Sequence, residues 1–189
     1  MARSDGSQGA FLTETPLGAV GLLWRETGGG PKVERVLLPA GSRAVAEWLK
    51  RDFPDRKLCD SPEVAELGRR IDRFLHGEPV AFDLGILALA DCPGFQREVL
   101  LAESRIPRGW VSTYERIAQS VGAPRAARAV GTALAQNPFP LVVPCHRVVR
   151  ADGDLGGFQG GRAMKRALLE LEGIRFAASG KVTLEKVWY

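Results

Sequence analysis

The stretch Asp91-Cys92-Pro93-Gly94 constrains this chain more than any other. Proline fixes φ and has no amide to donate, and glycine opens backbone states closed to other residues. Neither a strand nor a helix therefore continues through the pair. The hydrophobic pattern also differs on the two sides. Before the break, short alternating segments mix with helical ones; after it, helical spacing dominates. A chain of 189 residues broken there reads as two small domains, 1–91 and 92–189, each within the usual domain size.

In the first domain, Phe11 to Thr15 and Gly18 to Glu26 read as strands around a turn at Pro16. Gly28-Gly29-Gly30-Pro31 is a hairpin loop, and Lys32 to Leu38 alternates as a partner strand. Ser42 opens a helix to about Arg51, with Val45, Trp48 and Leu49 on one face. A second helix spans Pro62 to His76, with Ser61 as N-cap and Gly77 past its end. His76, at that end, is a partner for the helix dipole and not a ligand. Pro79 to Asp83 fits a short strand, and Met1 to Ala10 is a polar, glycine-rich loose tail without the apolar core of a signal peptide. The expectation is an α+β protein whose N-terminal α/β domain holds a small antiparallel sheet. The longest apolar run, Leu84 to Ala90, is far short of the ~20 residues a membrane helix needs. The chain is expected in the cytoplasm, or in the nucleus of a eukaryote.

The second domain reads as mainly helical. Phe95 to Ile106 forms a helix, and Pro107-Arg108-Gly109 a loop. Ser112 and Glu115 have the spacing of a capping box at the start of a helix over Tyr114 to Ser120. Val121-Gly122-Ala123-Pro124 is a tight turn, and Arg125 to Ala135 a second helix, so the pair forms a helix-turn-helix. That second helix is slim, built from Ala126, Ala127, Ala129, Gly131, Thr132 and Ala133, with Arg125 and Arg128 on one face. Charge is also unevenly placed. Residues 1–92 carry 12 Lys/Arg against 14 Asp/Glu, and residues 93–189 carry 14 against 8. A basic segment inside a folded domain is the footprint expected for a polyanion partner.

Three cysteines, Cys59, Cys92 and Cys145, form no CxxC pair, and the odd number does not make a disulfide framework. With only His76 and His146 for company, they do not compose a zinc site, and no metal or cofactor is expected. Cys59 and Cys92 read as filler. Cys145 sits in Pro144-Cys145-His146-Arg147, beside a histidine able to take its proton. Neighbours in an extended chain point to opposite sides, so direct contact needs a bend or a bridging water. A carboxylate would complete nucleophile, base and orienter. Glu172, just past a helix over Arg162 to Leu171, and Glu170 both suit that role. The loop Gly153 to Gly161 would let backbone amides approach a ligand.

Val143-Pro144-Cys145-His146-Arg147-Val148 resembles the active-site motif of the O6-alkylguanine-DNA alkyltransferases. The resemblance extends over Tyr114, Arg125 to Gly131, Asn137-Pro138, Gly156 to Gly161 and Glu172, and covers roughly residues 93–175. It implies a ribonuclease-H-like N-terminal domain and a C-terminal domain that binds damaged double-stranded DNA as a monomer through the minor groove. It implies direct repair by base flipping, with irreversible, single-turnover transfer of an alkyl group from O6-alkylguanine to Cys145. O4-alkylthymine is a second candidate lesion. By resemblance, His146 takes the thiol proton through a water and Glu172 orients His146. Arg128 fills the gap left by the flipped base, and Tyr114 crowds the phosphate and helps guanine leave neutral. Asn137 ties the recognition helix to the active-site segment. The Cys145 and Val148 carbonyls read the guanine amine, and the Gln159 amide reads O6. Phe158, tyrosine in many relatives, keeps a stacking ring without the hydroxyl. Gln159 narrows the pocket and Gly160 leaves it open to bulkier adducts such as benzyl. Two other readings compete. A lesion sensor or regulator would bind DNA without transfer, but sensors of this type lack the cysteine. A cysteine hydrolase would place its Cys and His far apart in sequence.

Overall fold

The structure, a computed structural model, describes residues 7–39, 44–59 and 61–189. The chain separates into two compact units, one running to Leu89 and the other spanning Ala90–Tyr189.

In the first unit, β1 (Gln8–Thr13), β2 (Val20–Arg25) and β3 (Lys32–Leu37) are joined antiparallel. A two-residue strand β4 (Lys57–Leu58) adds to β1 in parallel, so the sheet is mixed and ordered β3-β2-β1-β4. Two helices, α1 (Val45–Asp52) and α2 (Pro62–Leu75), cover opposite faces. Val45 and Leu49 of α1 pack with Ala10, Leu23 and Leu37. A Cβ on Gly21 would lie 2.8 Å from Val45 Cγ1, so the glycine admits the helix. On the other face, a Cβ on Gly68 of α2 would lie 2.6 Å from Phe11 Cε1, and Phe11 alternates with Ala10 and Leu12. Covered on both sides, β2 is buried from Val20 to Trp24 and reads as a continuous apolar run.

Several expectations change. Ala10 is not tail but β1, because Gln8 to Thr13 pairs along its whole length with β2; Met1 to Gly6 lie outside the described residues. The expected helix start at Ser42 also lies outside them. Residues 79–83 form no strand: Asp83 instead caps a single 3₁₀ turn, Leu84–Ile86, by accepting from the Gly85 amide. At α2 the expected signals act as read. The Ser61 hydroxyl accepts from Val64 N, and Gly77 turns the chain at φ 91°. His76 sits at the helix end with Nδ1 3.2 Å from Asp72 Oδ1. Cys59 is half-buried against the Gly9 backbone and Trp24, whose indole donates to the Cys59 carbonyl.

The second unit begins with α3 (Gly94–Glu103). Strand β5 (Ser112–Thr113) leads into α4 (Tyr114–Ser120), and a turn at Gly122 leads to α5 (Ala127–Ala135). A 3₁₀ turn, Cys145–Arg147, is followed by β6 (Val148–Val149) and, after a loop, by α6 (Gly161–Leu171). α3 stops at Glu103, short of the expected Ile106. Ser112 is not the N-cap of α4. It is drawn into the parallel pair with Val148, its hydroxyl donates to the Trp188 carbonyl, and Thr113 caps the helix by accepting from Arg116 N. Glu115 therefore closes no capping box. Arg125 lies in the turn, because Ala126 closes it by donating to Ala123 O before α5 starts.

The chain after Gly173 clamps this unit. Val111 N donates to Lys186 O and Trp188 N to Val111 O, extending the β5–β6 pair by a third segment. Val182 joins the core of Val111, Val149, Leu155, Leu169 and Ile174. Gly153 stands where this segment crosses the 150–156 loop. It has φ 82°, and a Cβ there would meet Val182 O at 2.6 Å. Gly153→Ala combines a left-handed conformation with a backbone clash. It should lower unfolding free energy in urea by about 1–3 kcal/mol; unchanged stability would show that this crossing is not tight.

Candidate active site

The segment before Cys145 is held by its own side chains. Asn137, just past α5, accepts from Phe139 N at 2.8 Å and donates to Val143 O at 3.2 Å. Leu141 between them has φ 72°, a strained backbone state tolerated because both sides are pinned. Pro144 then starts the 3₁₀ turn. With three residues per turn, Cys145, His146 and Arg147 point roughly 120° apart. The turn sends the two adjacent side chains in different directions. Cys145 lines a pocket, while His146 is wholly buried behind it.

His146 Nε2 lies 3.0 Å from Glu172 Oε1. Arg147 forks the same carboxylate, with Nη2 at 2.7 Å from Oε1 and Nε at 2.9 Å from Oε2, while its Nη1 donates to Ile106 O at 2.6 Å. Burial by itself would raise the Glu172 carboxyl, but its contacts with His146 and Arg147 win and hold it at about 2. An ionised carboxylate only accepts, so Nε2 carries the proton that it shares with Glu172. Burial, the largest effect, lowers the His146 imidazole, and Glu172 opposes it. A neutral ring with Nε2 protonated keeps its lone pair on Nδ1, the form a general base needs. Glu170 makes a surface pair with Arg166 and takes no part.

Cys145 is raised to about 12, first by burial and then by Glu103, against a hydrogen bond from Asn137 and the charge of Lys165. It rests as a thiol, and an attacking thiolate has to be made as the proton leaves.

The pocket beside Cys145 holds about 220 Å³ and is lined by Tyr114, Gly131, Leu134, Ala135, Gly157, Phe158 and Gln159. This is below the ~300 Å³ at which small-molecule clefts usually begin. Tyr114, the first residue of α4, crosses it. A Cβ on Gly156 would lie 2.7 Å from the Tyr114 hydroxyl, so only glycine, here at φ 66°, leaves the ring room. Phe158 meets the His146 ring edge-on at 6.3 Å. The Gln159 carboxamide does not hang free: it donates to Asn137 O at 2.6 Å and Ala135 O at 3.3 Å. Gly160 is the N-cap of α6 and is not a lining residue. A Cβ there would meet Met164 Sδ at 2.1 Å, so the opening does not come from Gly160. Arg128 is exposed on the first turn of α5, outside the pocket. The Val148 carbonyl accepts from Lys165 Nζ at 2.6 Å, and Gly157 O from the same amine at 3.2 Å.

Three site-forming residues escaped the sequence reading: Arg147 as the Glu172 fork, Lys165 and Glu103. Helical spacing held a signal for two of them. Lys165 shares the buried stripe of α6 with Leu168 and Leu169, and Glu103 that of α3 with Val99 and Leu100. A charge on an apolar stripe marks a buried polar group. Among the described residues, no three His, Cys, Asp or Glu side chains group closely enough to hold a metal ion.

Residues 94–174 match the family model described as the DNA binding domain of 6-O-methylguanine DNA methyltransferase. The chain is 41% identical to the methylated-DNA–protein-cysteine methyltransferase of Methanothermobacter thermautotrophicus over 160 residues, 84% of this chain and 82% of the relative. It is 45% identical to the protein of that name from Mycobacterium tuberculosis over 135 residues, 69% and 79% of the two chains. Among solved structures, the M. tuberculosis OGT in complex with DNA superposes with a TM-score of 0.68 at 33% identity, covering 87% of this chain and 92% of that one.

The Glu172 cluster has a pH signature. Its carboxyl falls from an ordinary 4.5 to about 2 on folding, so its stabilisation is present above pH 4.5 and is lost as pH drops towards 2. Glu172→Gln should cost about 3 kcal/mol at neutral pH and progressively less between about pH 4.5 and 2, read by urea unfolding. A gap that keeps its size across that range would sink the assignment.

Proposed function

Because the chain belongs to the methylated-DNA–protein-cysteine methyltransferase family, we propose that Cys145 is the residue that takes the alkyl group, with His146 as base and Glu172 as the group that orients it. The protein repairs alkylated DNA directly, by irreversible transfer to its own cysteine, and its partner is DNA. The observation that carries the assignment of Cys145 is that it lines a pocket and sits next in sequence to the wholly buried His146, which pairs with Glu172.

O6 of guanine is stacked inside a duplex, so the base has to leave the helix to reach that pocket. The helix-turn-helix of α4 and α5 lies against the minor groove, and its small residues permit close approach. Arg128, exposed on α5, enters the stack where the base was. Tyr114 turns the nucleotide and lines the pocket. An alkylated guanine pairs poorly and flips at lower cost, which favours lesions over normal bases. The Cys145 and Val148 carbonyls accept from the guanine amine and the Gln159 backbone amide donates to O6. Phe158 packs against the base, and Gly160 starts α6, where a side chain would press on Met164.

In the chemical step the sulfur–carbon bond forms as the carbon–O6 bond breaks. The thiol proton passes to His146, directly or through a water. The electron pair left on guanine is matched by a proton from the Tyr114 hydroxyl, and that proton is replaced from the one His146 received. Thiol and alkylguanine thus become thioether and guanine. The product thioether is stable, so one molecule acts once. The protein works as a monomer in the cytoplasm.

Incubation with an O6-methylguanine duplex should add one methyl to the peptide containing Cys145, by intact mass and peptide mapping. Binding without that gain would favour a sensor, and turnover without it a hydrolase. Cys145→Ala should still bind the duplex and gain no mass. Arg128→Ala should slow transfer from duplex DNA by about tenfold or more while sparing single-stranded substrate, where no gap has to be filled. Equal rates on duplex for variant and wild type would remove Arg128 from flipping.

A further inference from the structure

Glu103, the last residue of α3, has no part in the chemistry above, yet it is completely buried. Neither of its carboxyl oxygens has a hydrogen-bond partner. It occupies the apolar stripe of Val99 and Leu100, where an aliphatic side chain would pack without penalty. The charged and titratable groups around it come from three elements: Lys165 from α6, Arg147 and Cys145 from the 3₁₀ turn, and Tyr114 from α4. Arg147 is already forked by Glu172. Lys165, also completely buried, donates to the neutral Val148 and Gly157 carbonyls. It is the cation in this cluster whose charge is left to act on the sulfur.

We propose that Glu103 is a positioning residue for alkyl transfer: as a buried neutral acid it leaves the Lys165 ammonium to stabilise the Cys145 thiolate, and once ionised it withdraws that support. The proposal rests on the reading of Cys145 as acceptor.

The charge balance gives the direction. With Glu103 neutral, removing the thiol proton turns a lone buried cation into an ion pair. With Glu103 ionised, Lys165 is already matched, and a thiolate adds a second anion to a dry cluster where charges are felt strongly. Burial moves both groups into the range where this matters. It raises Glu103 to about 8 and lowers Lys165 to about 8. Glu103 also raises Tyr114, after burial itself, so its ionisation opposes a negative charge at both ends of the reaction. The site is thus favoured below the titration of Glu103 and weakened as pH rises through it.

The test is the single-turnover transfer rate of the full chain on a methylated duplex against pH, for wild type, Glu103→Gln and Glu103→Leu. Iodoacetamide labelling of Cys145, mapped by peptide mass, is followed in parallel. Glutamine keeps the shape without the titration, and leucine removes the unpartnered oxygens, so loss of folding in one leaves the other. Because Lys165 is itself lowered to about 8 and Glu103 helps to hold its proton, the comparison is made in a Lys165→Arg background, whose cation stays charged; there the rate of both variants relative to the Glu103 parent should climb about tenfold from about pH 7 to about pH 9, as should labelling. A ratio that stays constant with pH marks Glu103 as structural filling and overturns the proposal. Wild type that labels at Cys145 but takes no methyl from DNA would defeat the transfer reading alone, and the labelling ratio would still decide Glu103.

Discussion

Glu172 sits in the interior with no side-chain exposure, where a lone carboxylate is costly. Arg147 forks it and His146 shares a proton with it, and both belong to the turn that begins at Cys145. One carboxylate at the end of α6 therefore fixes the two residues that follow the sulfur. Rotating the turn would leave a buried charge unpaired, a loss of several kcal/mol. Arg147 carries the constraint further, to the Ile106 carbonyl just past α3. The direction of the Cys145 side chain is set by these contacts together with its own hydrogen bond from Asn137.

Such a site has an electrostatic problem. The burial that holds His146 neutral also keeps Cys145 a thiol. An exposed cysteine would ionise more easily but would share its pocket with water and with unrelated electrophiles. Here the relief is local: Asn137 and Lys165 both favour the anion. This division suits a protein that reacts once, because reactivity is needed only when a base fills the pocket and completes the surroundings of the sulfur.

The helix-turn-helix and the reactive turn are joined in two places. β5 and β6 pair in parallel, so the residue before Tyr114 is tied to the segment just after Arg147. Asn137 links the end of α5 to Val143, two residues before Cys145. Gln159 adds a third tie, from the 150–160 loop to the end of α5. The end of α5 and the wall of the pocket are thereby parts of one frame, which the segment of Lys186 to Trp188 ties down along Val111.

The sequence by itself determined the chemistry-bearing residues and their order. Pro144-Cys145-His146-Arg147, the slim arginine-bearing helix and the glycine loop are local patterns, readable because each depends on a few neighbouring residues. The three antiparallel strands β1 to β3, in outline, and the caps of α2 were legible for the same reason, whereas the two-residue β4 was not and the strand expected over Pro79 to Asp83 does not form. What only the tertiary structure decided was which distant groups meet. Thr113 rather than Ser112 caps α4 because Ser112 is taken by a strand pair with Val148, 36 residues away in sequence. Glu172 rather than Glu170 meets His146 because the end of α6 turns one inward and leaves the other at the surface. Lys165 and Glu103 stood in the sequence as charges on apolar stripes, but their closeness to one sulfur came from packing α3 and α6 around it. Contacts between residues far apart in the chain depend on the whole three-dimensional arrangement, and no local spacing encodes them.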